Sequence, residues 1–237
     1  MPGSRPEIIG HRGAPRECTE NTLPGFARAL ALGADAVELD VHATRDGTVV
    51  VHHDPVPRAL RADGAAETRP LSGLAAREVA ALRFPDGTGV PTLDETLGLL
   101  GRDATAYVEI KGTGIAEAVL AVLARHATPA AVHSFDHRTV RQVSAARPAL
   151  RSGVLLSSYL LDPAAVMRGA GALDLWQEWS WIDAALVEAV RGVGGRVVAW
   201  TANDPGAIGA LAALGVGAIC TDVPDAARLV VGRAPAA

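Results

Sequence analysis

The sequence has few lysines and cysteines and no long basic or apolar run, and each shortage argues against a class of protein. Lys111 is the only lysine among 22 basic side chains in 237 residues, so the chain uses arginine everywhere else. The two cysteines, Cys18 and Cys220, are too few for a disulfide framework or a cysteine-based metal cluster. The net charge of −4 and the lack of a basic stripe argue against nucleic acid as a partner.

No segment approaches the roughly 20 consecutive apolar residues that a membrane-spanning helix needs. The first residues, MPGSRPEIIGHRG, contain no apolar core of signal-peptide length. We therefore expect a soluble, cytoplasmic protein without stable membrane insertion, and the sequence leaves a homo-oligomer open. With 49% hydrophobic residues, the chain can bury a sizeable core.

Short β-branched segments alternate with Ala- and Leu-rich segments of helical period, a pattern typical of repeated βα units. The predicted strands are 7–11, 36–41, 48–53, 106–111, 130–135, 152–157, 172–177, 196–201 and 217–222. The predicted helices are 20–32, 92–100, 115–127, 137–146, 162–170, 183–193, 204–214 and 224–231. Capping signals begin three of these helices, at Thr92, Asp162 and Asp204.

A (β/α)8 TIM barrel fits this order best, since such barrels typically have about 250 residues. We expect one domain over residues 1–237. The predicted strands exceed the eight places of a barrel by one, and 172–177 has the weakest pattern. The runner-up is a doubly wound sheet, but IIGHRGAP lacks the G-x-G-x-x-G spacing of a dinucleotide-binding turn.

Two connections in the predicted barrel are unusual. HATRDG, residues 42–47, is too short for a crossover helix, so we expect the chain to turn back there in extended form. Residues 54–91 are rich in Pro, Gly and Ala and have little periodicity except near 74–82. They are expected to form an insertion after the third strand, at the end of the barrel where functional loops are usually built.

Acidic residues share one face of a predicted strand in VELDV, because side chains two positions apart on a strand point the same way. Glu38 and Asp40 should face the barrel axis, since the outward face of a barrel strand packs against helices. The same parity places Glu109 with Lys111 on another strand. Three carboxylates make an oxygen-rich site suited to Mg²⁺ or Ca²⁺ rather than to zinc. The alternative, a solvated acidic edge, is weakened by the recurrence at Glu109.

Histidines end two predicted strands beside these carboxylates. His11 ends the first strand and His53 the third, where they would suit a general acid and a general base acting across a metal-bound group. A lone histidine is more often structural, but two at such positions favour catalysis. His52 is on the opposite face and is expected to pack or to support the site. A structural or surface role is expected for His42, His126, His133 and His137.

The single lysine is explained best as a phosphate ligand. A compact ammonium can meet one phosphate oxygen beside metal-bound carboxylates, whereas a planar guanidinium needs more width and matches two oxygens. Lys111 and Arg12 together would form a phosphate clamp. The alternative is that Lys111 only neutralises Glu109, which does not explain why this position alone escaped arginine.

An ordered set of motifs spans nearly the whole chain. The stretch IIGHRGAPRECTENTLPGFARALALGADAVELDVHATRDGTVVVHHDP resembles the N-terminal signature of glycerophosphodiester phosphodiesterases, H-R-G, E-N-T, E-L-D, D-G and H-D. VEIKG, HSFDH, VVAWTANDP and GVGAICTDVPD resemble the later blocks of that family in the same order.

The resemblance implies a (β/α)8 barrel that uses a divalent cation to hydrolyse a small-molecule glycerophosphodiester to glycerol 3-phosphate and an alcohol. The implied site residues are Glu38, Asp40 and Glu109 for the metal, His11 and His53 as acid and base, and Arg12, Lys111, Glu20, Asn21 and Trp200 for phosphate and substrate. Glu20 and Asn21 could equally cap the first helix, and Trp200 could belong to the core.

Two stretches depart from the family pattern. PVPRALRADGAAET, after the H-D motif, matches the family's usual R-T-T-x-G-like stretch only loosely, which leaves the insertion's substrate contacts open. DLWQEWSWID contains Trp176, Trp179 and Trp181. They could line the alcohol pocket, form an oligomer interface or pack in the core.

Two other functions stay open. A lysophospholipase D or phospholipase C-like phosphodiesterase on the same barrel would need an exposed apolar or basic rim. A non-catalytic metal–phosphate binding protein is disfavoured because both candidate catalytic histidines are present. The sequence does not decide between water and the glycerol's own hydroxyl as the nucleophile.

Overall fold

The order of strands and helices follows the predicted βα alternation throughout residues 5–232, which a computed structural model describes. The strands are β1 Glu7–Gly10, β2 Ala36–Ala43, β3 Val49–Val51, β4 Thr105–Ile110, β5 Ala130–Ser134, β6 Arg151–Leu156, β7 Asp174–Glu178, β8 Arg196–Trp200 and β9 Ala218–Thr221. The α-helices are α1 Leu23–Ala31, α2 Ala76–Ala80, α3 Leu93–Leu100, α4 Ala116–Leu123, α5 His137–Ala146, α6 Pro163–Ala170, α7 Ala184–Arg191, α8 Pro205–Leu214 and α9 Pro224–Val231.

Eight parallel strands close into a barrel in the order β1-β9-β8-β7-β6-β5-β4-β2. Closure is made by β1 pairing with β2, where Ile9 lies opposite Ala36. The predicted (β/α)8 barrel is therefore confirmed. The predicted domain over 1–237 includes residues 1–4 and 233–237, which lie outside the described part of the chain.

The ninth strand is β3, which lies outside the barrel and pairs antiparallel with β2, Val41 lying opposite Val51. The chain turns back at Gly47, whose φ of +82° is favourable only for glycine. Segment 172–177 has the weakest strand pattern and was therefore the first candidate for the strand in excess. This expectation is wrong, because the segment contains β7 of the barrel.

Side chains along the barrel strands divide between two apolar layers. Those that point outward, such as Val37 and Leu39 of β2, pack with Phe26 of α1 and Leu97 of α3. Inward side chains form a separate cluster that fills the barrel, made of Ile9, Ala36, Tyr107, Ala131, Leu155, Trp176, Val198, Ala218 and Cys220. Because the alternation is strict, the polar residues between Val37 and Val41 must face the axis.

The insertion, 54–91, contains a short 3₁₀ helix at Leu71–Gly73 and the single-turn helix α2, within the stretch where periodicity was expected. Its apolar side chains form a cluster with Val50 of β3; they are Ala59, Leu71, Leu74, Val79, Leu82, Phe84 and Val90. Thr19 donates to Asp86 across 2.5 Å, which ties the insertion to the loop after β1.

A network of ion pairs closes the N-terminal end of the barrel. Asp174, 1% exposed, accepts hydrogen bonds from Nε of Arg151 at 2.8 Å and from Nε of Arg196 at 2.9 Å. Arg196 also donates to Glu7 at 2.9 Å, and the Tyr107 hydroxyl donates to the same Glu7 oxygen at 2.7 Å. These charged groups satisfy one another under the apolar filling. Within residues 5–232, no helix is long and apolar enough to cross a membrane.

Candidate active site

A cavity opens at the C-terminal end of the barrel, and its two sides differ in chemistry. One side is charged and comes from β1, β2, β4 and the segment after β3; its lining residues are His11, Arg12, Glu38, His53, Glu109 and Lys111. The other side is largely apolar and comes from β5 to β9; its lining residues are His133, Phe135, Leu155, Trp176, Trp200 and Cys220. A ligand in this cavity would meet ions on one side and aromatic rings on the other.

The three carboxylates predicted from strand parity come together at the bottom of the charged side. Glu38, Asp40 and Glu109 are 2%, 1% and 7% exposed, respectively. Burial, followed by the charges of Asp40 and Glu109, raises the pKa of Glu38 well above its usual value. Burial and the charge of Asp40 raise the pKa of Glu109 to about 7, although Lys111 opposes this shift. Without a further cation, the group holds more negative charge than its surroundings neutralise.

The donors of this group fit a divalent cation. Oε1 of Glu38 and Oδ1 of Asp40 are buried without a hydrogen-bond partner in the described part of the chain. Among the described residues, Glu38, Glu109 and His133 each bring one ligand atom within 4.8 Å of the others, whereas Asp40 of the predicted set is not part of this group. Carboxylate oxygens are the ligands preferred by Mg²⁺ and Ca²⁺.

Arg12 and Asn21 bind the acidic group through an unusual backbone conformation. Their φ angles are +51° and +56°, in the left-handed region that non-glycine residues rarely adopt. This conformation directs the Arg12 amide to Glu38 at 3.1 Å, while its guanidinium pairs with Asp40 at 3.1 Å and with Glu20 at 3.1 Å. The side-chain amide of Asn21 donates from Nδ2 to Oδ2 of Asp40 at 2.8 Å. Asn21 is thus a partner of the acidic group rather than a cap of α1, a role that falls to Thr22.

Lys111 lies between two of the carboxylates. Its Nζ is 2.9 Å from Oε1 of Glu109 and 3.4 Å from Oδ1 of Asp40, and it faces the Phe135 ring with 5.8 Å to the centroid. Burial alone would raise the pKa of Asp40, but Arg12, Lys111 and Asn21 together lower it below its usual value. Lys111 therefore contacts carboxylates of both β2 and β4 and also faces the aromatic side.

His11 is held by a chain of partners that the sequence did not reveal. Its Nδ1 is 2.7 Å from Oδ1 of Asp222, and Asn203 donates to the other carboxylate oxygen at 2.7 Å. The Asp222 amide in turn donates to the Asn203 side chain at 2.8 Å. Burial would raise the pKa of Asp222, but the hydrogen bond and charge of His11 lower it. A carboxylate on Nδ1 leaves Nε2 of His11 available for the cavity.

Two signals for Asp222 existed in the sequence, because the residue lies in the GVGAICTDVPD block and at the end of a predicted strand. His11 and Asp222 are separated by 211 positions in the chain. In a closed barrel, however, the last strand lies beside the first, so an acid just after β9 must lie near a residue just after β1.

His53 is also held by a carboxylate, through a shorter chain of hydrogen-bond partners than that of His11. Its Nδ1 is 2.8 Å from Oδ1 of Asp54, whose other oxygen pairs with Arg58 at 2.7 Å. His52 points away from the cavity and stacks on Phe84 of the insertion, with 6.0 Å between ring centroids, as expected for a packing residue. Both candidate catalytic histidines thus carry a carboxylate on Nδ1 and line one cavity.

The aromatic side is stiffened by stacking. His133, expected to have a structural or surface role, is buried and stacks on Trp176 with 3.9 Å between centroids. Burial lowers the pKa of His133 to about 3, so the ring is neutral. Phe135 packs edge-on against Trp200 at 5.6 Å, and the buried Nε1 of Trp200 has no hydrogen-bond partner among residues 5–232.

All ten residues predicted for the site lie at this end of the barrel. Seven line the cavity, namely His11, Arg12, Glu38, His53, Glu109, Lys111 and Trp200. Asp40, Asn21 and Glu20 join them through Arg12, Lys111 or each other. The three tryptophans of DLWQEWSWID have different environments: Trp176 is buried and lines the cavity, whereas Trp179 and Trp181 are 38% and 49% exposed.

The chain matches one family of known proteins. The model of the glycerophosphoryl diester phosphodiesterase family matches residues 11–226. A glycerophosphodiester phosphodiesterase from Caldanaerobacter subterraneus subsp. tengcongensis is 30% identical over 230 residues, which cover 92% of this chain and 94% of that protein.

Solved structures share the fold. A glycerophosphodiester phosphodiesterase from Agrobacterium tumefaciens is 26% identical, with a TM-score of 0.82 and coverage of 94% of this chain and 99% of the other. A phosphodiesterase from Oleispira antarctica, solved with its product sn-glycerol-3-phosphate, is 23% identical with a TM-score of 0.86 and coverage of 97% and 98%. The latter likeness shows the fold alone.

Proposed function

The chain belongs to the glycerophosphoryl diester phosphodiesterase family, and from this we infer that it hydrolyses glycerophosphodiesters to glycerol 3-phosphate and an alcohol. The observation that carries this conclusion is the charged side of the cavity. Two carboxylate-supported histidines, two cations and a buried acidic group converge there. A phosphodiester needs those groups, namely proton donors and acceptors together with positive charge for the phosphate oxygens.

Arg12 and Lys111 bind the phosphate in this proposal. Both are already held by the acidic group, Arg12 through Asp40 and Lys111 through Glu109. They are therefore positioned before the substrate arrives, so little reorganisation is needed when negative charge grows on the phosphate oxygens. Trp200 lines the opposite side of the cavity, where its ring would form part of the substrate wall.

His11 and His53 move the protons. One imidazole takes the proton of the attacking hydroxyl, and the other gives a proton to the departing alkoxide. Attack by water gives glycerol 3-phosphate directly, whereas attack by the substrate's own glycerol hydroxyl gives a cyclic phosphate that a water must then open. The bond from phosphorus to the alcohol oxygen breaks as the bond to the attacking oxygen forms. Asp222 and Asp54 keep each ring oriented through Nδ1. The rate should follow a bell-shaped pH profile, because one ring must be neutral and the other protonated.

Glu38, Asp40 and Glu109 would hold a divalent cation, Mg²⁺ or Ca²⁺. When bound, such an ion polarises the phosphate and offsets its charge. The buried Oε1 of Glu38, which has no hydrogen-bond partner among the described residues, supports this assignment. His133 lies against the same group and, in this proposal, supports the ring packing rather than the ion.

Adding Mg²⁺ or Ca²⁺ to metal-stripped protein is expected to raise Tm by about 5–10 °C at a hundredfold excess over Kd, because the ion binds the folded state only. Thermal unfolding of Glu38→Gln should show little of this rise, and the exposed control Glu188→Gln should show all of it. His133→Asn is expected to keep the rise; if it does not, the imidazole belongs to the ligand set. If neither ion changes the Tm of the wild-type protein, the proposed metal site is contradicted.

Replacing Asp222 by asparagine is expected to lower kcat by about tenfold to a hundredfold, with little change in KM. The asparagine oxygen can still accept from His11, but the negative charge that orients the ring and stabilises its protonated form is lost. Steady-state kinetics on glycerophosphocholine would measure the split between kcat and KM. Asp225→Asn, on the surface of α9, is the matched control. An unchanged kcat for Asp222→Asn would remove the carboxylate from the mechanism.

The activity itself is tested by release of glycerol 3-phosphate from glycerophosphocholine. Metal-stripped protein should release little, and added Mg²⁺ or Ca²⁺ should restore release. No release with either ion, across glycerophosphocholine, glycerophosphoethanolamine and glycerophosphoinositol, would overturn the assignment.

The setting of the enzyme is also a proposal. The insertion ties back to the loop after β1, which supports a single domain over residues 1–237. The free cysteines Cys18 and Cys220 are typical of a reducing compartment and support a cytoplasmic location. A homo-oligomer stays a prediction, and sedimentation of the purified protein would test it.

A further inference from the structure

One side of the acidic group ends in an imidazole rather than in a carboxylate. The strand register places Asp40 of β2 beside Glu109 of β4, and Glu109 in turn beside His133 of β5. Glu109 therefore lies between two neighbours of different chemistry, an oxygen donor and a nitrogen donor. Glu38, which shares the inward face of β2 with Asp40, also approaches His133, since its Oε1 lies 3.9 Å from Nε2 of that ring. The group thus offers two positions for an ion, and both include Glu38 and Glu109.

The two positions differ in the partners that their outer ligands already have. Oδ2 of Asp40 accepts a hydrogen bond from Asn21 at 2.8 Å and pairs with Arg12 at 3.1 Å. On the other side, Oε1 of Glu38 and Nδ1 of His133 are buried without a hydrogen-bond partner in the described part of the chain. The 3.9 Å between Nε2 of His133 and Oε1 of Glu38 is longer than a hydrogen bond. Because buried polar atoms are rarely left unpartnered, these atoms indicate a ligand that meets both residues.

The donors on the His133 side suit zinc. Imidazole nitrogen and carboxylate oxygen bind Zn²⁺ at about 2.0–2.2 Å, so two ligand atoms on one ion lie at most about 4 Å apart. Nε2 of His133 and Oε1 of Glu38 already satisfy this limit. The ligand atoms of these two residues and of Glu109 lie within 4.8 Å of one another, so the remaining approach is roughly 1 Å. Stacking on Trp176, with 3.9 Å between centroids, holds the imidazole in place.

We propose that Glu38, Glu109 and His133 form a second cation position, which binds Zn²⁺ in preference to Mg²⁺ or Ca²⁺ and excludes the ion held with Asp40. Imidazole favours zinc, whereas Mg²⁺ and Ca²⁺ prefer oxygen ligands. Because both positions use the same two carboxylates, one ion displaces the other. An ion drawn to His133 leaves Asp40, the carboxylate that holds the phosphate-binding cations, so zinc inhibits hydrolysis. The inhibition rests on the proposed function, but the binding of zinc does not.

Zinc binding is tested by calorimetric titration of metal-stripped protein with ZnCl₂ and with MgCl₂. The wild-type Kd for Zn²⁺ is expected to be at least about a hundredfold lower than that for Mg²⁺. His133→Phe keeps a ring against Trp176 but has no nitrogen ligand. It should raise the Kd for Zn²⁺ at least about tenfold and change the Kd for Mg²⁺ less than about twofold. His126→Ala, which removes a surface imidazole beside Asp94, controls for zinc bound at the surface and should leave the tight site unchanged.

Asp40→Asn is the reverse variant. It should lose most of the Mg²⁺ binding and weaken Zn²⁺ binding less than His133→Phe does. The Tm of each variant without added ion reveals a folding defect, and His133→Asn makes the same comparison if the larger ring of His133→Phe disturbs the fold. Co²⁺ in place of Zn²⁺ adds a spectroscopic measurement, because its visible absorption reports the ligands of the ion. His133→Phe should change this spectrum, whereas His126→Ala should not.

Inhibition is tested by release of glycerol 3-phosphate from glycerophosphocholine in excess Mg²⁺. Zn²⁺ should slow the wild-type protein, and the half-inhibiting Zn²⁺ concentration should rise in proportion to the Mg²⁺ concentration, because the two ions compete. Equal zinc affinities of wild type and His133→Phe would overturn the proposal while the phosphodiesterase stands. Zinc that binds without competing, or that supports turnover as well as Mg²⁺ does, would overturn the exclusive position. If nothing is hydrolysed with any ion but His133→Phe and Asp40→Asn have their opposite effects on affinity, the proposed function falls and the zinc position stands.

Discussion

Replacing His11 by alanine is expected to lower kcat between about a hundredfold and ten-thousandfold, and replacing His53 should cost a similar factor. Each ring lines the cavity with a carboxylate on Nδ1, so each can carry a proton on the atom that faces the substrate. The double variant should be only slightly worse than either single one, because groups that act in one step are not additive. Steady-state turnover of glycerophosphocholine would measure all three.

The two histidines can be told apart by their leaving-group dependence. A substrate that releases p-nitrophenolate needs no proton on the departing oxygen. The variant that lacks the general acid should therefore recover most of its rate on that substrate, whereas the variant that lacks the general base should not. His126→Ala, which removes a surface imidazole paired with Asp94, is the matched control. Near-normal turnover of glycerophosphocholine by His11→Ala or His53→Ala would contradict the acid and base roles.

Changing Lys111 to arginine is expected to lower kcat/KM by about a hundredfold to a thousandfold, although the charge is kept. The ammonium is held between carboxylates of β2 and β4 at 3.4 and 2.9 Å, beneath the Phe135 ring. A planar guanidinium is wider and would either displace the ring or turn its fork from the phosphate.

The arginine variant separates charge from shape. Lys111→Met removes both and should be at least as slow, while Arg77→Lys on the surface of α2 makes the reverse exchange and should be neutral. If Lys111→Arg keeps the wild-type kcat/KM, charge alone suffices and the single lysine has no catalytic explanation. Thermal unfolding of each variant would separate lost turnover from lost structure.

Much of the fold followed from local pattern. The helices begin within a few residues of their predicted starts, and Thr92 forms the capping box that TLDE predicts. The weak pattern of 172–177 has a physical cause, because Asp174 places a charge at the start of a buried strand. The residues that neutralise Asp174 are Arg151 and Arg196. They lie on neighbouring strands, so the local sequence around Asp174 does not show that its charge is paired.

The site residues placed by the alternation of side chains along one strand could be predicted from the sequence. The partners placed by long-range contacts could not. Alternation alone places Glu38 and Asp40 on the axis, and the closed barrel brings Glu109 to them. The support of His11 by Asp222 depends on which strands become neighbours. The left-handed backbone of Arg12 is equally nonlocal, since it is sustained by hydrogen bonds to β2.

The ion-pair network at the N-terminal end of the barrel also limits how substrate and product can enter and leave. The pair of Asp174 and Arg196, with the apolar side chains above it, closes the N-terminal end of the barrel, so the cavity opens at the C-terminal end. Substrate entry and product exit must then use the same route in turn. In the proposed mechanism, Arg12 and Lys111 hold the phosphate product, and the next substrate can bind only after this product has left. Accumulated glycerol 3-phosphate would therefore compete directly with substrate for the vacant enzyme.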